Sequence, residues 1–247
     1  MSKQRTLKGI ERAELLNALY FKYSESQGLR HRMTYLRKKY SWLLVVEGTI
    51  IIKRSFDILL ASFLLALFSP LLLVISLLIK LQDRGPIFYV STRVGKWGQP
   101  FKLLKFRTMC PKAEQMKQNL LPYNEEVDEV TFKMRSDPRV TALGKFLRKT
   151  SLDEIPQLWN VIKGEMSLVG PRPHLPQEVA LYTLEERRRL DVAPGVTGIW
   201  QVNGRSDIPF SKQVELDLQY IESQSIWLDI KLLLKTIPAV IFGRGAY

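Results

Sequence analysis

The sequence predicts an α+β fold that is mostly helical, with a re-entrant membrane helix, a small β-hairpin and amphipathic interfacial helices. Three observations support this fold. An apolar run of 22 residues extends from Ile58 to Ile79. Two short apolar stretches flank a polar loop that carries Gly95 and Gly98, and helical spacing of apolar residues covers much of the remaining chain. We expect three parts: a basic helical extension over residues 1–49, the membrane helix over 50–80, and a cytosolic domain at the membrane interface over 81–247.

The apolar run has two interpretations. As an unbroken helix it would be about 33 Å long, which matches a hydrocarbon core of about 30 Å and favours a single crossing. However, Lys53 and Arg54 precede it and Lys80 follows it, and basic flanks prefer the cytoplasm. Pro70 also removes the N–H that would bond the Ala66 carbonyl, which Ser69 could satisfy instead. We therefore favour a helix broken at Ser69 and Pro70 with both ends in the cytosol.

The other elements follow from local patterns. The stretches 86–90 and 101–106 predict a β-hairpin, and residues 111–130 predict a surface helix and loop. Helical patterns cover 140–164 and 210–242, whereas 199–204 is expected to be a loop. The apolar face of 210–242 fits a membrane interface or a core-facing helix equally well. Residues 1–49 fit two short amphipathic helices near the membrane surface, or a polar arm used for association.

Composition restricts the partners. The formal net charge of +13 implies an anionic partner such as nucleic acid, acidic lipid or a phosphorylated small molecule. We expect no nucleic acid, because a membrane segment is present and a recognition motif is not. Cys110 is the only cysteine, which fits a reducing cytosol. The polar, basic first residues argue against a cleavable signal peptide.

The segment from Ser151 to Pro156 contains the best candidate for catalysis. Ser151 and Glu154 have the spacing of a helix capping box, and Asp153 lies where a helix N-terminus favours negative charge. A structural cap is therefore one interpretation of these residues. The other is catalytic: an aspartate kept ionised by the helix N-terminus can attack phosphorus, and its neighbour Glu154 could serve as a base or bind a metal.

Attack by a carboxylate on a diphosphate requires positive charge, because phosphoryl transfer is catalysed mainly by positioning and by charge neutralisation. Arg172 lies between Pro171 and Pro173, which would fix the backbone and aim a guanidinium that can bind phosphate through two hydrogen bonds. For each isolated arginine, a solvated surface charge is the competing interpretation. The further candidate substrate or phosphate ligands are Lys105, Arg107, Arg148, Gln201 and Arg205. A divalent cation is expected at Asp153 and Glu154. His31 and His174 are far apart in sequence, and no Cys/His metal spacing, P-loop or dinucleotide fingerprint is found.

At these residues the sequence resembles the bacterial sugar transferases, also called monotopic phosphoglycosyl transferases. The similarity runs from about Ile52 to Tyr247, and eight strings occur in the family order, which makes the match specific. The strings are Lys53-Arg-Ser-Phe-Asp57, Ser69-Pro70, Lys105-Phe-Arg-Thr-Met109, Ser136-Asp-Pro-Arg139, Thr150-Ser-Leu-Asp-Glu-Ile-Pro-Gln157, Leu168-Val-Gly-Pro-Arg-Pro173, Pro194-Gly-Val-Thr-Gly198 and Gln201-Val-Asn-Gly-Arg205.

The resemblance implies an enzyme that transfers a sugar-1-phosphate from a UDP-sugar to polyprenyl (undecaprenyl) phosphate and starts exopolysaccharide, capsule or glycan assembly. Asp153 would attack the β-phosphate and release UMP, leaving an aspartyl phosphosugar, with Glu154 as base and Mg²⁺ at the pair. Arg148 and Arg172 would hold phosphates. It further implies the bacterial inner (cytoplasmic) membrane, a lipid bilayer partner and a catalytic domain facing the cytoplasm.

Two alternatives and one assembly expectation remain open. A bitopic membrane scaffold with a basic lipid- or partner-binding domain would explain the charge, but not the Asp-Glu and Pro-Arg-Pro strings. A nucleic-acid binder would explain the charge alone. A homodimer is expected only because dimers are the commonest assemblies. The sequence does not identify the sugar.

Overall fold

The computed structural model describes residues 29–120, 134 and 136–242. Helix α1 (Leu29–Asp83) is followed by the antiparallel hairpin of β1 (Phe88–Val94) and β2 (Pro100–Phe106), then by α2 (Ala113–Leu120) and α3 (Ala142–Lys149). Next come α4 (Gln157–Lys163), β3 (Ser167–Val169) and α5 (Pro176–Ala180). The described chain ends with β4 (Gly195–Thr197), α6 (Ile199–Asn203), α7 (Phe210–Glu222) and α8 (Ile226–Phe242). Short 3₁₀ turns lie at Lys96–Gly98, Leu152–Glu154, Glu186–Asp191 and Arg205–Asp207.

The α+β class and the hairpin predicted from the sequence are confirmed, and four local features differ from the prediction. Residues 199–203 form a short helix rather than a loop. The helical stretch 210–242 is two helices, because residues 223–225 interrupt it. Strands β3 and β4, which pair in parallel, were not predicted. Residues 29–49 belong to one continuous helix with the apolar run rather than to separate short helices, while residues 1–28 and 121–133 lie outside the described residues.

Helix α1 carries the apolar run, and most of that run is exposed. Leu59, Leu73 and Leu81 are each 70–72% exposed. Among the described residues, Glu47–Asp83 is the one helix long and apolar enough to cross a membrane, and only 11% of its most apolar 18-residue stretch is buried. A core helix of a soluble protein would be mostly buried. The exposed apolar surface therefore needs a cover such as lipid.

The helical backbone of α1 continues through Pro70, so the expected break is not an interruption of helical structure. The hydroxyl of Ser69 donates to the Ala66 carbonyl at 2.8 Å. This is the carbonyl left unpaired by the missing N–H of proline, so the Ser-Pro pair satisfies its own backbone defect.

Both ends of the apolar segment are attached to the same compact unit, which comprises residues 53–247. At the first end, Arg54 donates to the carbonyls of Val161 and Ile162 at the end of α4, where a cation is favourable. At the other end, Asp83 pairs with Arg107 just after β2. The two arms on either side of Pro70 also pack into the core, through Ala61 in one arm and Ile75 in the other. One domain therefore contacts the segment before and after Pro70.

Asp57, at the start of the apolar segment, follows Lys53 by four residues on the helix. Lys53 lies 3.8 Å away, but its shorter contact, at 2.6 Å, is with Asp229 of α8. Asp57 instead accepts hydrogen bonds from the Ser167 hydroxyl at 2.8 Å and the Leu168 amide at 3.2 Å. The carboxylate therefore ties α1 to β3, which is a structural role.

Candidate active site

Asp153 and Glu154 lie in the 3₁₀ turn Leu152–Glu154, between α3 and α4. The capping-box interpretation is wrong, because Ser151 has a left-handed backbone (φ 55°) and makes no side-chain cap. A non-glycine residue held in this region is strained and is typical of functional sites. The strained turn places two adjacent carboxylates in the interior, and Asp153 is only 8% exposed.

Glu154 is bound by two cations. Its Oε1 accepts from the Lys105 ammonium at 2.6 Å and from the Arg172 guanidinium at 3.0 Å. Burial alone would raise the pKa of Glu154, but Arg172 and Lys105 more than offset it and hold the pKa well below its usual range. Glu154 is therefore ionised throughout the physiological range.

Asp153 lies in a different environment from Glu154. No described residue donates a hydrogen bond to its carboxylate, and burial raises its pKa to about 6 against the opposing charges of Lys105, Arg148 and Arg172. The neighbouring charge of Glu154 contributes to this rise. The helix N-terminus was expected to keep Asp153 ionised, whereas the structure assigns that task to the surrounding cations. At pH 7 the carboxylate is mainly ionised and poorly solvated, which suits a nucleophile.

Lys105 reaches the carboxylates from the end of β2. Its strand is fixed against α4 by Asn160, which accepts from the Leu104 amide at 3.1 Å and donates to the Lys102 carbonyl at 2.7 Å. Lys105 is largely buried, and burial holds its pKa below the usual value although the charge of Glu154 partly opposes this shift. The two hydrogen bonds of Asn160 fix the strand just before Lys105 and so hold its ammonium group beside the carboxylates.

Arg148 is positioned by the close approach of α3 to the loop after β2. Its Nε donates to the Thr108 hydroxyl at 3.0 Å. A Cβ at Gly144, one turn earlier, would lie 2.0 Å from the Thr108 carbonyl, so only glycine permits this approach. The charge of Arg148 acts on Asp153 and, more weakly, on Glu154.

Arg172 is presented by a strap, Pro171–Pro173, that leaves the parallel pair β3 and β4. The Gly195 amide donates to the Pro171 carbonyl at 2.8 Å, and a Cβ at Gly195 would lie 2.1 Å from the Gly170 nitrogen. Both prolines are buried while Arg172 is partly exposed. The strap therefore aims one guanidinium at Glu154 and toward solvent.

Of the other predicted ligands, one joins the site and two make other contacts. Arg205 has a left-handed backbone (φ 52°), and its charge acts on both Glu154 and Asp153. Arg107, just after the end of β2, pairs instead with Asp83. The amide of Gln201 donates to the Val196 carbonyl at 3.1 Å. Sequence reasoning missed Arg93 of β1, which lies beside the strap; a lone arginine in a strand gives no local signal.

The side chains of the site can be compared with the ligands that Mg²⁺ usually takes in proteins. Among the described residues, no group of three or more His, Cys, Asp and Glu side chains could hold a metal. Mg²⁺ is usually bound through one or two carboxylates together with substrate phosphates and waters. The under-bonded carboxylate of Asp153, next to Glu154, fits that mode of binding and does not fit a closed cage of protein ligands.

Comparison with known proteins identifies the family. The model for bacterial sugar transferases matches residues 48–243. The exopolysaccharide production protein ExoY of Rhizobium meliloti is 48% identical over 79% of the chain and 88% of its own length. The undecaprenyl-phosphate galactose phosphotransferase of Salmonella typhimurium is 42% identical over 79% of the chain but only 42% of its own length. The corresponding glucose phosphotransferase of Komagataeibacter xylinus is 40% identical over 81% of the chain and 38% of its own length.

The chain therefore belongs to the bacterial sugar transferase family, a family of transferase enzymes. This confirms the resemblance drawn from the eight sequence strings.

Proposed function

We propose that this enzyme transfers a sugar-1-phosphate from a UDP-sugar to polyprenyl phosphate through a covalent intermediate on Asp153. One observation carries the proposal: a buried carboxylate that accepts no hydrogen bond from the described residues is surrounded by Lys105, Arg148, Arg172 and Arg205. Two relatives, the galactose and glucose phosphotransferases, are named for the same class of reaction, which supports the proposal.

In the first step, an oxygen of Asp153 forms a bond to the β-phosphorus of the donor. The bond from that phosphorus to the bridging oxygen breaks, and the electron pair leaves with UMP. In the second step, a phosphate oxygen of the polyprenyl phosphate attacks the same phosphorus and displaces Asp153. The product is a polyprenyl diphosphate sugar, and the enzyme returns to its initial state.

The cations stabilise the charge of both steps. Lys105 and Arg172 bind Glu154 before substrate arrives, and a substrate phosphate can replace Glu154 as their partner. Glu154 is then released and can act as a base or bind a cation. Asp153 and Glu154 would hold Mg²⁺ together with donor phosphates, and the ion would supply further charge neutralisation there.

We further propose that the apolar segment of α1 enters the cytoplasmic leaflet, bends at Pro70 without losing its helical backbone, and returns to the same side. Both of its ends contact the catalytic domain, through Arg54 at one end and Asp83 at the other, and a soluble domain reaches only one face of a bilayer. The same contacts argue against the bitopic scaffold. With single cysteines placed at residues 40 and 84, both should react with an impermeant reagent from the cytoplasmic side only. Labelling of residue 40 from outside the cell would exclude a re-entrant segment.

The function is tested by measuring UMP release from a panel of UDP-sugars with undecaprenyl phosphate and Mg²⁺. We expect one or a few sugars to be turned over and Asp153→Asn to be inactive but folded. Glu215→Gln, a charge change at an exposed site, is the matched control and should retain full activity. Normal UMP release by Asp153→Asn would contradict the proposal.

A further inference from the structure

Arg93 is a cation of the site that lacks a strong partner. Its Nε donates to the Ser91 hydroxyl at 3.3 Å and its Nη1 to the Pro173 carbonyl at 3.4 Å. The nearest carboxylate oxygen, on Glu178, is 3.9 Å away. These contacts are at or beyond the long end of the hydrogen-bond range. The side chain is 22% exposed, so the guanidinium can exchange these contacts for a better one.

The hairpin register places Arg93 on the side that faces the carboxylates. Arg93 pairs with Phe101 of β2, and Lys105 lies four residues further along the same strand. Residues an even number apart in a strand share a face, so Arg93 and Lys105 project from the same face of the hairpin. Lys105 contacts Glu154, and Arg93 contacts the backbone of Pro173, next to Arg172.

The resulting arrangement has Lys105 and Arg172 in contact with Glu154, and Arg93 in contact with the residue that follows Arg172. The charge of Arg93 interacts unfavourably with Arg172 and favourably with Glu178 and Glu154. Glu154 is already shared by two cations at hydrogen-bond distance, and Glu178 also accepts from the Leu175 amide and contacts His174. The strap side of the site is therefore short of negative charge, which a second phosphate would supply.

We propose that Arg93 binds the α-phosphate of the UDP-sugar, the phosphate that departs with UMP, while Lys105 and Arg172 bind the β-phosphate. This inference rests on the function proposed above. When the bond between the β-phosphorus and the bridging oxygen breaks, the electron pair stays on UMP, and Arg93 neutralises the charge that develops there.

The test is equilibrium binding of UMP to the detergent-solubilised protein. Arg93→Ala should weaken UMP binding about tenfold, because a charge-assisted contact to phosphate is lost. Arg188→Ala, which removes an exposed arginine paired with Glu222, is the matched control and should bind UMP normally. In turnover assays Arg93→Ala should raise KM for the UDP-sugar and leave KM for polyprenyl phosphate unchanged.

A double-mutant cycle distinguishes direct binding of phosphate by Arg93 from positioning of Arg172. The distinction is needed because Arg93 also contacts the strap that carries Arg172. If Arg93 binds phosphate itself, Arg93→Ala weakens UMP binding in the Arg172→Ala background as well. If it only positions Arg172, its effect disappears in that background, and the proposal is overturned. Arg93→Lys keeps the charge but loses the planar fork, so it should fold and bind UMP several-fold more weakly. Wild-type UMP affinity in the Lys variant would also overturn the proposal.

The two proposals fail differently. If the wild-type enzyme releases no UMP from any UDP-sugar, the proposed reaction is wrong. If the wild type turns over normally and UMP binding does not depend on position 93, only the role of Arg93 is wrong.

Discussion

The environment of Asp153 predicts an acid limit to the first chemical step. Burial raises its pKa to about 6, and only the ionised carboxylate can attack phosphorus. Activity is therefore present above pH 6 and lost as pH falls through that value. The ionised fraction is about 0.9 at pH 7 and about 0.1 at pH 5, so the rate of adduct formation should fall roughly tenfold between them.

The position of this limit should depend on Lys105, which is the largest influence that lowers the pKa of Asp153. Replacing it by Met removes a nearby cation, so the limit should move upward by about one pH unit, equivalent to about 1.4 kcal/mol. Glu215→Gln should leave the limit unchanged. The rate itself will also fall in Lys105→Met, but only the midpoint tests the electrostatic argument.

The assay is single-turnover formation of the labelled enzyme adduct from a radiolabelled UDP-sugar without polyprenyl phosphate. The acceptor is omitted because a phosphate monoester has a second pKa of about 6, and its ionisation would add a second transition to the pH profile. A flat profile down to pH 4.5, or the same midpoint in wild type and Lys105→Met, would refute the assignment of Asp153 as a nucleophile governed by this environment.

Four further predictions follow from particular contacts. Raising the Mg²⁺ concentration should lower the midpoint of the acid limb, because the cation competes with the proton for the Asp153 carboxylate; a midpoint independent of Mg²⁺ would argue against a metal at this carboxylate. Gly195→Ala should destabilise the fold by about 3 kcal/mol or more, since its Cβ would lie 2.1 Å from the Gly170 nitrogen, whereas Gly48→Ala, with nothing within 4 Å, should not; equal thermal unfolding temperatures would contradict this. Tyr220→Phe should cost about 1–3 kcal/mol of stability without changing the pH profile, because its hydroxyl donates to Asp229 at 2.8 Å and to the Val169 carbonyl at 3.0 Å and not to a side chain of the site; loss of adduct formation in the folded variant would contradict it. Arg148→Gln should slow adduct formation at least tenfold and raise the midpoint of the acid limb, because its charge lowers the pKa of Asp153; a wild-type rate and midpoint would show that Arg148 is structural.

Elements with strong local signals were predictable. The hairpin follows from two apolar strands around a glycine-bearing loop, and the observed strands overlap both predicted stretches. The strands β3 and β4 were not predictable in the same way. Each has three residues, and the pair joins segments well separated in the chain, so neither strand has an alternating pattern long enough to detect.

The residues of the candidate site divide in the same way into those with a local sequence signal and those placed only by tertiary structure. Lys105, Arg148 and Arg172 lie around the Asp153–Glu154 pair. They could be chosen from the sequence because each lies in or next to a distinctive string. Arg107 departs from this pattern because β2 ends at Phe106, and its side chain then turns to Asp83. Arg93 joins the site only through the pairing of β1 with β2 and the path of the strap, and both are tertiary features. Ser151 was assigned to a capping box because serine is a favoured N-cap residue, and nothing in the local sequence signals its left-handed backbone.

The most direct test of the central claim is intact-protein mass spectrometry after incubation with the accepted UDP-sugar and Mg²⁺, with no polyprenyl phosphate. We predict a mass increase equal to one sugar phosphate, one equivalent of UMP released, and loss of the added mass when acceptor is supplied. Asp153→Asn should remain at its original mass. An adduct on that variant, or full turnover by the wild type with the modification on another residue, would contradict the account.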